Sequence, residues 1–449
     1  MNNQGKKMRR DFILTKKIDW FVLVFFLILL FVEMGPAFAQ TEIYVKMPVG
    51  GAEPMDIGVA ELVPEKGEFS PEEKEIAVQI AQIVRDDLNY SLLFYVAEID
   101  SFVMDVLGGD WNNFGGWFKL GMRTVLTGEL KLEDKGIKAK VSLFDVFREK
   151  RIFSKIYRAG AGNLRALAHA ISDDVVYNLT GEKGIFSTKI AFASTRDGSK
   201  ELFICDYDGY HLHKLTNDRS INLTPRFSPD GKKLAYTSYK GGNPDLWIMD
   251  LREGKNHRVS SQIGLNSAAS WSPDGKHLSL TLTRDGNAEI YLIAEQGEIK
   301  KRLTYNWSID SSPTWSPNGK QIAFTSDRAG SPQIYVMDSD GANVRRLTYE
   351  LDYNDSPVWS PRGDKMAFVT RTKTGFDVCT IDVTGENLRV LTAGGNNENP
   401  YWSPDGYHLV FSSDRTGQYQ IYTMNWDGSN QKQITEGGEN YNPTWSTRF

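Results

Sequence analysis

Only two cysteines and six histidines occur in 449 residues. Two thiols cannot build the disulfide framework of a small secreted domain. The histidines offer a single close pair, His211-x-His213, and two imidazoles do not close a metal site. A G-x-S-x-G nucleophile elbow, a phosphate-binding P-loop and an H-E-x-x-H helix are all missing, so the common hydrolase and nucleotide chemistries have no sequence support. Basic excess is missing too. The formal charge is -5, and residues 1–39 hold six basic against three acidic groups, so the rest is more acidic still and does not suit nucleic acid. Neither half offers a catalytic histidine set, and no metal or cofactor is expected. Cys205 and Cys379 stand where Met249 and Tyr335 stand in related segments, as small buried strand residues.

A repeat fills the second half. Its clearest copy runs Lys320-Gln-Ile-Ala-Phe-Thr-Ser-Asp-Arg, Gln333-Ile-Tyr-Val-Met-Asp, Arg345-Arg-Leu-Thr and Ser356-Pro-Val-Trp-Ser-Pro-Arg-Gly. Copies close at Gly231, Gly275, Gly319, Gly363 and Gly406, and a sixth runs from Tyr407 to Phe449. A period of about 44 residues with four short strand-type runs is that of a β-propeller blade. One such sheet cannot bury both faces; stacking copies around an axis does so, and closing the ring limits exposed edges. The first copy lacks an innermost strand and the last ends with a spare one, Asn442-Pro-Thr-Trp-Ser-Thr-Arg-Phe449. The C-terminal strand is therefore expected to complete the first blade of six.

Ahead of the repeat, Lys6 to Lys17 supply a basic start, Trp20–Val32 an apolar core and Pro36-Ala-Phe-Ala39 a small-x-small ending. Residues 1–39 read as an export signal cut after Ala39, which leaves no spanning segment. Residues 40–185 read as an α/β domain: a mixed sheet with two helices. Ser70-Pro71-Glu72-Glu73 carries a capping box with proline in the first turn, and Ile76, Ile80, Ile83, Val84 and Leu88 follow at helical spacing. Three strands within 124–157 form a meander, Trp111–Trp117 reads as a loop, and a last helix opens at Asn163 and ends at Gly181 or Gly184. Residues 186–449 are the propeller.

One column of the repeat stands out. Five residues before each Trp-Ser-Pro aromatic come Asn222, Asn266, Asp310, Asn354, Asn397 and Asn440, followed by Leu223, Ser267, Ser311, Asp355, Glu398 and Tyr441. These begin the innermost strands and crowd one mouth of the channel. Asn and Asp also cap turns through side-chain-to-backbone bonds, so the column serves either the turn or a ligand. Asp310, Asp355 and Glu398 would suit a hydrated cation if they converge. The turns carrying Arg196, Arg284, Arg328 and Arg415 fall on the same face.

The stretches Leu179-Thr-Gly-Glu-Lys-Gly-Ile-Phe-Ser-Thr-Lys-Ile-Ala-Phe192 and Asp206-Tyr-Asp-Gly-Tyr210, with the order of signal, α/β domain and six blades, resemble the TolB family of the Gram-negative Tol–Pal envelope system. The resemblance implies a monomeric, non-enzymatic periplasmic scaffold for outer-membrane integrity and envelope constriction in cell division. It implies that the propeller mouth binds the lipoprotein Pal, with Asn266, Ser267 and Ala268 in the second copy and Ser311 in the third among the contacts. Leu265 departs from members with histidine there. It also implies that an N-terminal arm, Thr41-Glu42-Ile43-Tyr44-Val45-Lys46-Met47 within 40–48, recruits TolA; other outer-membrane proteins are further candidate partners. Two rivals are weighed against it. A propeller gating a peptidase would need a hydrolase domain, and Phe449 ends the sequence at the last strand. A peptidoglycan- or carbohydrate-binding propeller would need exposed rings; Trp271, Trp315, Trp359, Trp402 and Trp445 recur as packing, so Tyr305, Trp307, Tyr349, Tyr353 and Tyr441 are its candidates.

Overall fold

A computed structural model describes residues 53–448. The export signal and the arm expected at 40–48 lie outside these residues. The α/β portion has a sheet of order β3-β1-β4-β5-β6. Its strands are β1 (Met55–Val59), β2 (Val63–Pro64), β3 (Phe94–Val96), β4 (Thr124–Glu133), β5 (Gly136–Asp145) and β6 (Lys150–Ala159). β1 runs parallel to β3 and β4, while β4, β5 and β6 form the antiparallel meander. Helix α1 (Pro71–Tyr90) begins as the capping box requires: Glu73 N donates to Ser70 Oγ at 3.2 Å, and Ser70 N donates to Glu73 Oε2 at 3.0 Å.

The stretch Trp111–Trp117, read as a loop, is partly helical, and another short helix precedes it. α2 (Ser101–Leu107) is capped by Asp100, and α3 (Phe114–Lys119) by Asn113, whose Oδ1 accepts from Gly116 N at 2.9 Å. Both helices are too short to show a hydrophobic period. They persist because Trp117 is fully buried and its indole donates to Trp111 O at 2.9 Å. A Cβ at Gly58 would come within 2.5 Å of that ring, so only glycine on β1 leaves room. The last helix, α4 (Leu164–Thr180), ends at Gly181 in the left-handed region, where glycine carries no steric penalty. The portion thus has two long and two short helices, not two alone.

Six four-stranded antiparallel sheets follow. Blade 1 joins β7 (Lys189–Ser194), β8 (Glu201–Asp206) and β9 (His213–Lys214) to the last strand of the chain. Blade 2 is β10 (Asn222–Phe227), β11 (Lys233–Ser238), β12 (Asp245–Asp250) and β13 (Asn256–Ser260). Blade 3 is β14 (Asn266–Trp271), β15 (His277–Leu282), β16 (Glu289–Ala294) and β17 (Ile299–Arg302). Blade 4 is β18 (Asp310–Trp315), β19 (Gln321–Ser326), β20 (Gln333–Asp338) and β21 (Arg345–Arg346). Blade 5 is β22 (Asn354–Trp359), β23 (Lys365–Arg371), β24 (Phe376–Asp382) and β25 (Arg389–Val390). Blade 6 is β26 (Asn397–Trp402), β27 (His408–Ser413), β28 (Gln420–Asn425) and β29 (Lys432–Gln433). The chain ends in β30 (Asn440–Trp445), which pairs with β7 as the innermost strand of blade 1. Because each blade starts at its innermost strand, Asn266 belongs to blade 3 and Ser311 to blade 4. Cys205 and Cys379 are buried free thiols in blades 1 and 5.

The two portions share one apolar core. Val84, Leu88, Ile171 and Val175 from the helices belong to the same cluster as Phe186, Phe192, Tyr207 and Trp445. A buried polar knot crosses this core. Asp87 on α1 accepts from Tyr207 OH at 2.6 Å and lies 2.9 Å from His169 Nδ1, while His169 Nε2 is 3.5 Å from Asp208, which also pairs with Arg165. On the other side of the junction His408 stacks on Tyr90 with ring centres 4.1 Å apart and its Nε2 lies 2.7 Å from Tyr90 O. His169 and His408 thus both lie at the interface. Asp173 on α4 accepts from Phe186 N and Ser187 N and lies 3.4 Å from Arg448. It ties the junction stretch to the residues after β30.

Two outcomes are expected. Deleting residues 440–449 removes the β30–β7 pairing and opens blade 1, so calorimetry should show loss of the single cooperative transition; an unchanged transition would refute closure by this strand. Burial opposes protonation of His169, but hydrogen bonds and charge from Asp208 and Asp87 outweigh it and raise its pKa from 6.5 to about 9. A raised folded value stabilises the fold in full below pH 6.5 and is lost as pH climbs through about 9. The melting temperature should therefore fall over that window, and His169→Gln should flatten the fall.

Candidate functional site: the propeller mouth

Strand direction fixes what meets at the mouth. Each innermost strand runs away from it and the second strand returns. The hairpins between second and third strands, and the loops crossing from each outermost strand to the next blade, therefore share the face where the innermost strands begin. Asn222, Asn266, Asp310, Asn354, Asn397 and Asn440 are the first residues of β10, β14, β18, β22, β26 and β30, and every one has 0% exposure.

Their bonds explain the burial. Asn222, Asn354, Asn397 and Asn440 donate across the blade boundary to Glu201, Gln333, Asp377 and Gln420 at 3.1, 2.9, 3.0 and 2.7 Å. Those four lie at the start of the third strands of the preceding blades, Asp377 one residue in. The threonine of each Leu-Thr or Ile-Thr pair completes the arrangement: Thr216, Thr348, Thr392 and Thr435 donate to the same four groups at 2.6, 2.8, 3.0 and 2.9 Å. Asn266 is held instead by Ser260 Oγ and the Pro244 carbonyl. The arginines of the adjacent hairpins clasp the same column. Arg328 pairs with Asp310 at 2.8 Å, Arg415 donates to Asn397 Oδ1 at 2.7 Å, and Arg196 reaches Asn440 Oδ1 at 3.5 Å. Arg284 does not join them; it pairs with Asp285. The turn reading of this column is the one its geometry satisfies.

The second column is different. Leu223, Ser267, Ser311, Asp355, Glu398 and Tyr441 are all partly exposed and form the rim of the channel. Asp355 accepts from Thr325 Oγ1 at 2.8 Å, and Glu398 accepts from Tyr419 OH at 3.2 Å. Burial, with Asp414 and Asp355 nearby, pushes the Glu398 carboxyl up against the opposing pull of Tyr419. Asp310, Asp355 and Glu398 do not converge: Asp310 is committed to Arg328, and among the described residues only His169, Asp206 and Asp208 bring three ligand atoms together within 4.8 Å. That group sits at the domain junction, where Arg165, Lys189 and His211 already pair with its carboxylates.

The third column was not anticipated. Thr224, Ala268, Ser312, Ser356, Asn399 and Asn442 all have φ between 49° and 55°, and the pairing register breaks at each of them. These six bulges bend the innermost strands. A signal was present: proline follows at 225, 313, 357, 400 and 443, and within a sheet proline belongs at bulges because it cannot donate to the ladder. The loops between blades complete the face. Ile263, Tyr305, Trp307 and Tyr349 are 88%, 70%, 101% and 74% exposed. By contrast Trp271, Trp359, Trp402 and Trp445 are buried, and Trp271 and Trp402 donate to Arg226 O and Val358 O of the neighbouring blade. They seal blades together, as their recurrence predicts.

The TolB beta propeller domain family matches residues 176–449, and the TolB amino-terminal domain family matches 43–152. The chain belongs to the TolB family. A Protein TolB homolog of Chlorobium chlorochromatii is 40% identical over 143 residues, 31% of this chain and 32% of that protein. A Tol-Pal system protein TolB of Geobacter sulfurreducens is 38% identical over 193 residues, 42% of this chain and 44% of that protein. The chain thus aligns with under half the length of these curated relatives. The crystal structure of TolB from Acinetobacter baumannii superposes with a TM-score of 0.73 at 28% identity, covering 88% of this chain and 97% of that one.

The two columns are expected to respond differently to truncation. Asp310→Ala strands Arg328 and should cost about 2 kcal/mol in denaturant unfolding, whereas Asp355→Ala should cost less than about 1 kcal/mol. Equal losses would show that the rim, too, is structural.

Proposed function

We propose that this chain is a non-enzymatic periplasmic scaffold of the Tol–Pal system, binding a Pal lipoprotein at the propeller mouth and TolA through residues 40–48. Family membership supports the system. The mouth is supported by one observation: the exposed apolar side chains Ile221, Ile263, Tyr305, Trp307, Ile309, Tyr349 and Leu351 all sit on the loops that enter the innermost strands of blades 2 to 5. Large apolar groups gathered on one face and left in water are the composition of a protein-binding surface. The corresponding loops of the other two crossings carry Gly394-Gly395 and Gly437-Gly438 instead, so the partner is bound off-centre, against blades 2 to 5. Ser267 and Ser311 lie on the rim beside these loops and Ala268 at the bulge below, whereas Asn266 acts by holding the loop rather than by contact.

The arm gives a second, separable activity. Alternating Ile43, Val45 and Met47 permit addition of a strand to TolA's own sheet. Pal would alter that contact only through unequal affinity for two states of the arm.

Purified protein should capture a Pal lipoprotein from detergent-solubilised envelope. Ser267→Arg with Ser311→Arg, or Tyr305→Ser with Trp307→Ser, should weaken capture about tenfold or more. Deleting residues 40–48 should abolish TolA capture and leave Pal binding intact. Exposed Tyr305, Trp307 and Tyr349 also fit a carbohydrate platform; binding to isolated peptidoglycan in the absence of Pal, lost in the Tyr305→Ser Trp307→Ser variant, would replace the proposal with that reading.

A further inference from the structure

The axis of the propeller holds a cation that the fold does not neutralise. Arg226 is the fifth residue of β10, where the other innermost strands carry Ser270, Thr314, Val358, Tyr401 and Thr444. The guanidinium therefore breaks the repeat at a position turned toward the channel. Its Nη1 donates to Pro225 O at 2.9 Å, and its guanidinium carbon lies 5.1 Å from the centre of the Tyr401 ring. Among the described residues no carboxylate lies within salt-bridge distance of it, whereas Arg165, Arg302, Arg328 and Arg362 each have one. Burial holds its pKa below the ordinary arginine value, opposed only by Tyr401. It remains charged all the same.

A cavity adjoins this group. It has a volume of about 130 Å³ and is lined by Arg226, Ser270, Trp271, Tyr401, Trp445 and Thr447 among others. Contributions from blades 6, 1, 2 and 3 place it on the axis, at the end remote from the mouth. The volume far exceeds the ~15 Å³ that one water requires on this measure. The side-chain hydroxyls of Ser270 and Tyr401 make no hydrogen bond to protein among the described residues, so both are free to donate into the space. A half-buried guanidinium without a counter-charge attracts an anion, and guanidinium with two hydroxyls is a donor set matched to a planar or tetrahedral oxyanion.

We propose that this end of the channel is a binding site for a small free oxyanion, a carboxylate or phosphate, held by Arg226 with Ser270 and Tyr401. The site is separate from the mouth and does not depend on which partner the mouth binds.

The test is thermal shift and calorimetric titration of purified protein with inorganic phosphate, and separately with acetate and succinate, against chloride at matched ionic strength. At least one anion should give a saturable rise in melting temperature. Arg226→Gln should weaken that response about tenfold or more, and Ser270→Leu, which fills the cavity without touching the charge, should do the same. Response to phosphate alone or to the carboxylates alone supports the site and names its ligand class. An equal response in both variants and the parent places the anion elsewhere and overturns the proposal. The absence of any saturable response overturns it as well, and leaves Arg226 solvated by channel water.

Discussion

The antiparallel pairing of β30 with β7 is the constraint on which the propeller depends. It joins residues about 250 positions apart, with Asn440 opposite Ser194 and Trp445 opposite Ile190. Without it, blade 1 would have three strands and two edges, and blade 6 would lose the neighbour whose Asn440 bonds to Gln420. Closure also decides where the α/β portion can attach. Trp445 donates to Thr188 Oγ1 at 2.8 Å, and Ser446 Oγ accepts from Lys189 N at 2.8 Å. The junction between the two portions is thus pinned by the strand that closes the ring. Long-range contacts of this kind carry a large loop-closure cost and make all-β rings slow to form.

The blade boundary recurs as a polar unit more than as an apolar one. A buried amide on one blade donates to a carboxylate or amide on the previous blade, which also accepts from a threonine hydroxyl of the connecting loop, although Asn222 Oδ1 and Asn354 Oδ1 stay without a partner. Buried polar groups that are fully paired fix a unique arrangement, whereas half-paired ones are costly. That explains why the first column is nearly invariant in type within this chain, and why the second, which has no such duty, ranges over Leu, Ser, Asp, Glu and Tyr. Recognition at the mouth is therefore written in the variable column and in the loops beside it. A scaffold made rigid by identical units can present different side chains on each.

The junction behaves as a continuation of the core rather than as a linker. Helices α1 and α4 bury apolar residues into the same cluster as blade 1, and Asp87, His169, Tyr207 and Asp208 form a charged knot inside it. Removing one member of such a knot leaves its partners buried and unpaired. The knot draws on both portions, so their relative placement is part of the folded state.

The repeat's period, the turns, the capping box at Ser70 and the spare last strand were legible because each rests on local chemistry: alternation, glycine or proline at a turn, a cap three residues from its partner. These determined the fold class and the count of blades. Trp111–Trp117 reads as a loop in the sequence because the helix that begins at Phe114 is held by Trp117 packing over Gly58, a contact between distant segments. The polar column and its turn bonds are legible, but its bonds across the blade boundary are not, since burial by a neighbouring blade leaves no mark on a single strand. The bulges were signalled by five prolines, yet only the paired register displays them. Arg226 looks like an ordinary strand arginine in the sequence. Its isolation follows from what the other five blades place around the axis, which tertiary structure alone decides.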